Sequence, residues 1–194
     1  MSKKETEKRT YNIEFRADEG DGRKVSGYAA IYRSTSNELW GFEEIIEAGA
    51  FDSADLSDVR ALFNHDPNQI LARTSSGTMK LESDETGLRY EFEMPDTTLG
   101  RDLLVMMKRG DISQSSFAFT IKDDEWEERE GALPLRHIRQ IDRVYDVSPV
   151  TYPAYEKTSV TARSFQVFQD EKAQAAANDD IELETEIFIL NNEQ

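Results

Sequence analysis

Two histidines in a chain of 194 residues make the search for a general base short. His65 follows Asn64 at the end of the alternating run Val59 to Phe63, a rigid support from which a side chain can be presented. His137 sits in Leu135-Arg136-His137-Ile138-Arg139, where cationic neighbours are expected to disfavour its protonated form. About fifty residues beyond His65 runs Gly110-Asp111-Ile112-Ser113-Gln114-Ser115-Ser116-Phe117-Ala118-Phe119. A serine becomes a nucleophile when an imidazole takes its proton, and a third, usually acidic, group fixes the imidazole tautomer. Asp66, Asp142 and Asp146 have the chemistry for that third position. The chain has no cysteine, which excludes a thiol nucleophile, disulfides and thiolate metal sites.

Strand alternation chooses between the serines, because successive side chains point to opposite faces. Ser115, Phe117, Phe119 and Ile121 share the face that a core would claim; Ser116, Ala118 and Thr120 share the other, so Ser116 is expected to look outward. Asp66 would point away from His65 if the strand continued, whereas Asp142 and Asp146 share a face of a strand expected over 134–147. Spacing alone does not bring His65 to Ser116. Neither a metal nor a cofactor is expected. Two distant histidines lack the paired spacing of a zinc hydrolase, and no glycine-rich phosphate cradle occurs. The cluster Asp123-Asp124-Glu125 with Glu127-Glu128 lacks the order of an EF-hand and reads as a solvated loop.

The elements that must position these groups are mostly strands. Tyr11 to Arg16 and Lys24 to Tyr32 flank a Gly/Asp-rich turn; Thr78 to Leu81 and Leu88 to Phe92 flank a hairpin loop at Ser83 to Gly87. A helix is expected from a Thr97 or Thr98 cap through Arg109, with Leu99, Leu103, Met106 and Met107 as its stripe and Gly110 as its stop. Glu43 to Phe51 is less regular, with a short helix expected near Ala48 to Phe51. Pro67 is expected to end one ladder, and Pro149 and Pro153 another.

A formal charge of −16 argues against nucleic acid as a partner, since phosphate contacts need Lys or Arg. The first nine residues have mixed charge and no apolar h-region, and no run reaches the roughly 20 apolar residues of a membrane span. The expectation is a soluble protein used in a cytoplasm. Residues 1–10 are expected to be disordered, 11–168 to form one domain, and 169–194 to be an acidic, flexible tail, with eight acidic residues against the single Lys172. Within the tail, Ile181 to Ile189 alternates with glutamates and has the pattern of a docking strand.

Gly27-Tyr28-Ala29-Ala30, Asn64-His65-Asp66, Gly77-Thr78-Met79-Lys80-Leu81, Pro95-Asp96-Thr97, Arg109-Gly110-Asp111-Ile112-Ser113, Ser116-Phe117-Ala118-Phe119 and Val147-Ser148-Pro149-Val150-Thr151-Tyr152-Pro153-Ala154 occur together and in order. The series resembles the prohead maturation proteases of tailed bacteriophages of the HK97 type, which are related in fold to herpesvirus assembly proteases. The resemblance covers about Tyr11 to Arg163. It implies a mainly β fold with flanking helices (α+β), a closed antiparallel β-barrel, and a serine endopeptidase with His65 as base, Ser116 as nucleophile and Asp146 as the acid. Ala118 stands where the family usually has glycine in Ser-Phe-Gly-Phe.

By the same analogy the enzyme works inside the immature capsid in the bacterial host cytoplasm. It cuts scaffold protein or the scaffolding segment of the capsid protein, and finally itself, with Ala173 to Ala177 as one place for a cut. A homo-oligomer is compatible with the family, although no apolar stripe defines its face. The alternative is a noncatalytic capsid assembly or scaffold-binding module of the same fold.

Overall fold

A computed structural model describes residues 6–11, 16–17, 22–152, 163–175 and 177–178. The strands are β1 (Glu7–Tyr11), β2 (Arg16–Ala17), β3 (Lys24–Ile31), β4 (Glu43–Ile46), β5 (Arg60–Phe63), β6 (Asp66–Arg73), β7 (Met79–Ser83), β8 (Gly87–Glu93), β9 (Gln114–Glu127) and β10 (Leu135–Val150), with helix α1 (Thr98–Arg109) before β9. A second helix runs over 163–175. The chain divides into two compact units, residues 1–156 and 157–194. The alternating stretch Ile181 to Ile189 and the expected strand residues 12–15 lie outside the described residues.

One sheet has the order β1-β9-β10-β5-β6, with β4 also paired to β10; the other has the order β2-β3-β8-β7. Among the described residues the expected closed antiparallel barrel is not formed. A barrel requires its first and last strands to pair, but here β1 and β6 end one sheet and β2 and β7 the other. The sixteen residues of β10 are the reason. One edge of β10 is taken by antiparallel β9, and the other is shared by two short strands running parallel to it, β4 along Leu135–Ile138 and β5 at Asp146–Val147. The sheets instead bury their faces in a common core, with Val25, Tyr90 and Phe92 from one and Phe117, Phe119 and Val147 from the other.

The hairpin and the helix form where residue pattern places them. Asp84 closes the β7–β8 turn by accepting from the Thr86 and Gly87 N–H groups at 2.8 and 3.0 Å. A Cβ on Gly87 would lie 2.0 Å from the Ala30 carbonyl oxygen, so the β3–β8 ladder excludes any side chain there. Thr97 caps α1 by accepting from Gly100 N–H at 3.1 Å, Gly110 ends it at φ 80°, and Leu103 and Met107 enter the core.

Several segments depart from expectation because partners distant in sequence decide them. Glu43–Ile46 is a strand rather than an irregular stretch, since β10 offers it a parallel edge. The acidic run Asp123 to Glu127 is not a solvated loop. It continues β9, because the facing stretch of β10 supplies cations: Arg136 reaches Asp124 at 2.7 Å, Arg139 pairs with Glu125, and His137 meets Glu127 at 2.9 Å. Trp126 packs edge-on to Phe42 with ring centroids 4.8 Å apart.

Strand β1 begins inside the segment expected to be disordered. It is held by a buried ion network, in which Arg9 forks onto Glu44 at 2.7 and 2.9 Å and also reaches Glu7 at 2.5 Å. Arg136 reaches Glu7 at 3.1 Å. Burial pushes the Glu7 carboxyl upward, but the two guanidiniums outweigh it and hold its pKa below the usual carboxylate value.

His137 has the opposite surroundings from those its sequence neighbours imply. Partial burial disfavours its charge, yet hydrogen bonds and the charges of Glu47, at 2.6 Å, and Glu127 outweigh this and raise its pKa above the ordinary histidine value. A raised folded pKa means that the stabilisation is complete below the unfolded value of about 6.5 and is lost as pH rises through the folded value. His137→Phe is therefore expected to lower Tm more at pH 6 than at pH 9, and an NMR titration of the His137 ring should give a midpoint above 6.5. Glu44→Ala, which leaves the buried Arg9 and Arg136 guanidiniums to share the Glu7 carboxylate, is expected to cost about 3–5 kcal/mol in urea unfolding.

Candidate active site

A two-residue turn, Asn64-His65, joins β5 to β6, with Phe63 paired to Asp66 across it. Both turn residues have left-handed backbones, φ 53° and 56°, the pattern of a type I′ hairpin. Asparagine and histidine tolerate that region better than most residues, at a cost on the order of 1–2 kcal/mol each. Pro67 does not end the ladder. It falls in a bulge, since Phe63 pairs with Asp66 while Leu62 pairs with Ile70, so no strand partner needs its missing N–H. Asp66 closes the bulge, accepting from Asn68 N–H at 2.9 Å and from the Gln69 side chain at 3.1 Å. These bonds, the Asn68 backbone bond foremost, hold its pKa below the usual value.

The turn is tied to the end of β10. Asn64 N–H donates to the Pro149 carbonyl at 3.0 Å, while the Asn64 side chain accepts from Thr151 N–H at 2.8 Å and donates to the Thr151 hydroxyl at 3.1 Å. Pro149 does not end β10, which runs to Val150. In a strand the N and C=O of one residue face the same side, so the missing proline N–H lies toward the turn and β9 loses no bond.

This tether carries the His65 ring over the β9–β10 ladder, where Ser148 lies opposite Ser116 and Asp146 opposite Ala118. His65 Nε2 is 2.7 Å from Ser116 Oγ, and His65 Nδ1 is 2.6 Å from Asp146 Oδ1. The Ser148 hydroxyl donates to the same Asp146 oxygen at 2.6 Å. With the ring proton on Nδ1, the Nε2 lone pair faces the serine hydroxyl. The His65 and Asp146 side chains are 8% and 11% exposed, which strengthens each of these contacts against competition from water.

All three residues singled out from the sequence thus meet, but the reason given for Ser116 needs correcting. Its strand face does not look outward. Ser116, Ala118 and Thr120 are all buried, and Ser116 is 0% exposed. Ser115 turns to the core as expected, where its hydroxyl accepts from Tyr90 at 3.2 Å; burial pushes the Tyr90 phenol up to about 12, so it remains a donor. Of the two β10 carboxylates considered, the one hydrogen-bonded to His65 is that of Asp146 and not that of Asp142.

Sequence reading missed Asn64 and Ser148 as positioning residues. The first had a legible signal, because asparagine is the favoured opening residue of a two-residue hairpin loop. The second had none, since its role depends on a two-residue reach along one strand toward a carboxylate that is itself recognised only beside His65. Asn64→Gly keeps the left-handed turn but removes the Thr151 tether. It is expected to lower turnover on any peptide substrate about tenfold or more, with Tm changed by only a few degrees.

A model of the caudovirus prohead serine proteases matches residues 11–172. Among solved structures, the chain is similar to the capsid assembly protease gp21 of bacteriophage T4, with 10% identity over 73% of this chain and 98% of that one and a TM-score of 0.41. No curated protein matches. Since the matched residues span most of the chain and include the His65 turn, β9 and β10, the chain belongs to the caudovirus prohead serine proteases.

Proposed function

We propose that this protease is a serine endopeptidase in which His65 takes the proton of Ser116 while Asp146 holds the ring. The observation that carries the reading is the continuous chain Ser116 Oγ, His65 Nε2, His65 Nδ1, Asp146 Oδ1, with links of 2.7 and 2.6 Å. Ser116 Oγ attacks a peptide carbonyl carbon and the C–N bond breaks. The proton held on Nε2 passes to the leaving amine, and water then hydrolyses the acyl-enzyme by the same route in reverse. Asp146 stays ionised throughout and stabilises the imidazolium, and the Ser148 hydrogen bond keeps the carboxylate oxygen aimed at Nδ1.

The Arg139 and Arg143 side chains of β10 are engaged elsewhere. Arg139 pairs with Glu125, and Arg143 lies over the Tyr145 ring at 5.3 Å and beside Asp55. Backbone N–H groups remain as the donors of the proposed mechanism.

Family membership supports capsid or scaffold protein as the substrate, action within the prohead in the host cell, and eventual cleavage of the enzyme itself. Ser116→Ala and His65→Ala are expected to abolish scaffold cleavage in co-expression while leaving circular dichroism unchanged. Asp146→Asn should lower kcat by about 10⁴ by stabilising the wrong tautomer. Processing that persists in Ser116→Ala would reject the mechanism, and gel analysis of the cleaved scaffold reads the outcome.

A further inference from the structure

The strand that borders the candidate nucleophile belongs to the same chain. Thr10 of β1 lies directly opposite Ser116, and the Ser116 hydroxyl is 3.0 Å from the Arg9 carbonyl oxygen, as well as 2.7 Å from His65 Nε2. A hydroxyl has one proton to give. When it goes to the Arg9 carbonyl, it is withheld from the imidazole. Acylation also needs a substrate carbonyl carbon within about 3–3.5 Å of the attacking oxygen. The β1 backbone stands beside that oxygen, and Ser116 is 0% exposed.

The hydrogen-bonding direction of β9 shows what β1 displaces. Because the Pro149 carbonyl faces the His65 turn, the Ser115–Pro149 pair is not hydrogen-bonded and Ser116 directs its main-chain groups to β10. Ser115 and Phe117 therefore direct theirs to β1, where Tyr11 and Arg9 lie opposite. An extended peptide replacing β1 would inherit both of these partners and bring its own carbonyl to the place held by that of Arg9. β1 is a five-residue terminal strand of its sheet, with β9 as its sheet neighbour. Strand addition at such an edge is a common mode of peptide recognition.

We propose that β1 occupies the groove in which an extended substrate peptide pairs with β9, so that residues 7–11 must leave this edge before Ser116 can be acylated. The proposal rests on the Ser116–His65 reading above and adds its gate. The bond of Arg9 to Glu44 is then a latch, holding the occupying strand from its core-facing side.

The test uses the full chain, which has no native cysteine. Lys8 and Ala118 lie directly opposite in a pair that is not hydrogen-bonded, the closer of the two antiparallel spacings. Lys8→Cys with Ala118→Cys staples β1 to β9 when oxidised and releases it when reduced. The readout is the rate of Ser116 modification by a peptidyl diphenyl phosphonate, followed by mass spectrometry. The reduced form should be labelled about tenfold or more faster than the oxidised form, because labelling follows the open population.

Tyr11→Pro removes a main-chain donor directed at Ser115 and should label about threefold or more faster than the parent chain. Equal rates in the oxidised and reduced pair would overturn the gate. Absence of any adduct in Tyr11→Pro, once hydrogen exchange shows β1 open, would instead reject Ser116 as the nucleophile.

Discussion

Across the β9–β10 ladder Ser148 faces Ser116 and Asp146 faces Ala118, and the position of every candidate catalytic atom follows from that pairing. A slip of one residue would turn Ser116 into the core and send Ser115 to the histidine, because side chains alternate along a strand. The register is held from the core face. Phe117 and Phe119 stack with ring centroids 4.4 Å apart inside the core, and Tyr90 holds the Ser115 hydroxyl there. The nucleophile candidate is thus placed by the apolar residues beside it, and its own hydrogen bonds act within a position already fixed.

The histidine is placed by a different device. Its backbone lies in a costly region, and a turn that is strained in this way persists only when its surroundings over-determine it. Here the surroundings are the parallel pairing of β5 with β10, the Asn64 bonds to Pro149 and Thr151, and the bulge closed by Asp66. The expense is local, while β5 and Pro149, two of the contacts that offset it, are paired with or part of β10, the strand that also carries Asp146. Base and acid are therefore referred to one common support.

How much was legible in the sequence follows the range of the forces involved. The α1 caps, the β7–β8 hairpin and the core face of β9 depend on neighbours within a few residues, and residue type reveals them. His65, Ser116 and Asp146 were singled out as candidates from residue type and strand alternation, but only an ordered series of motifs joined them into one site, because no local rule says that a turn after β5 reaches a strand some fifty residues later. The failures share a cause. Asp123 to Glu127 has the composition of a loop, but Arg136, His137 and Arg139 make it a strand; Glu7 to Thr10 has the composition of a tail, but Glu44 and Arg136 draw it into a sheet. Charge pairing across long sequence separations is invisible to any reading that moves one window at a time. The closed barrel was carried over by analogy, and it fails because β10 spends its second edge on two short parallel strands.

The β9–β10 ribbon has two halves of different character. From Gln114 to Ala118 its pairing is regular; beyond that, four register shifts interrupt it before the charged end at Glu127. Each irregularity lets the ribbon bend locally without passing the distortion along. The outer half can therefore bend while the inner half keeps the pairing that sets Ser116 opposite Ser148 and Ala118 opposite Asp146. The fold separates an adaptable handle from a fixed workbench along a single pair of strands.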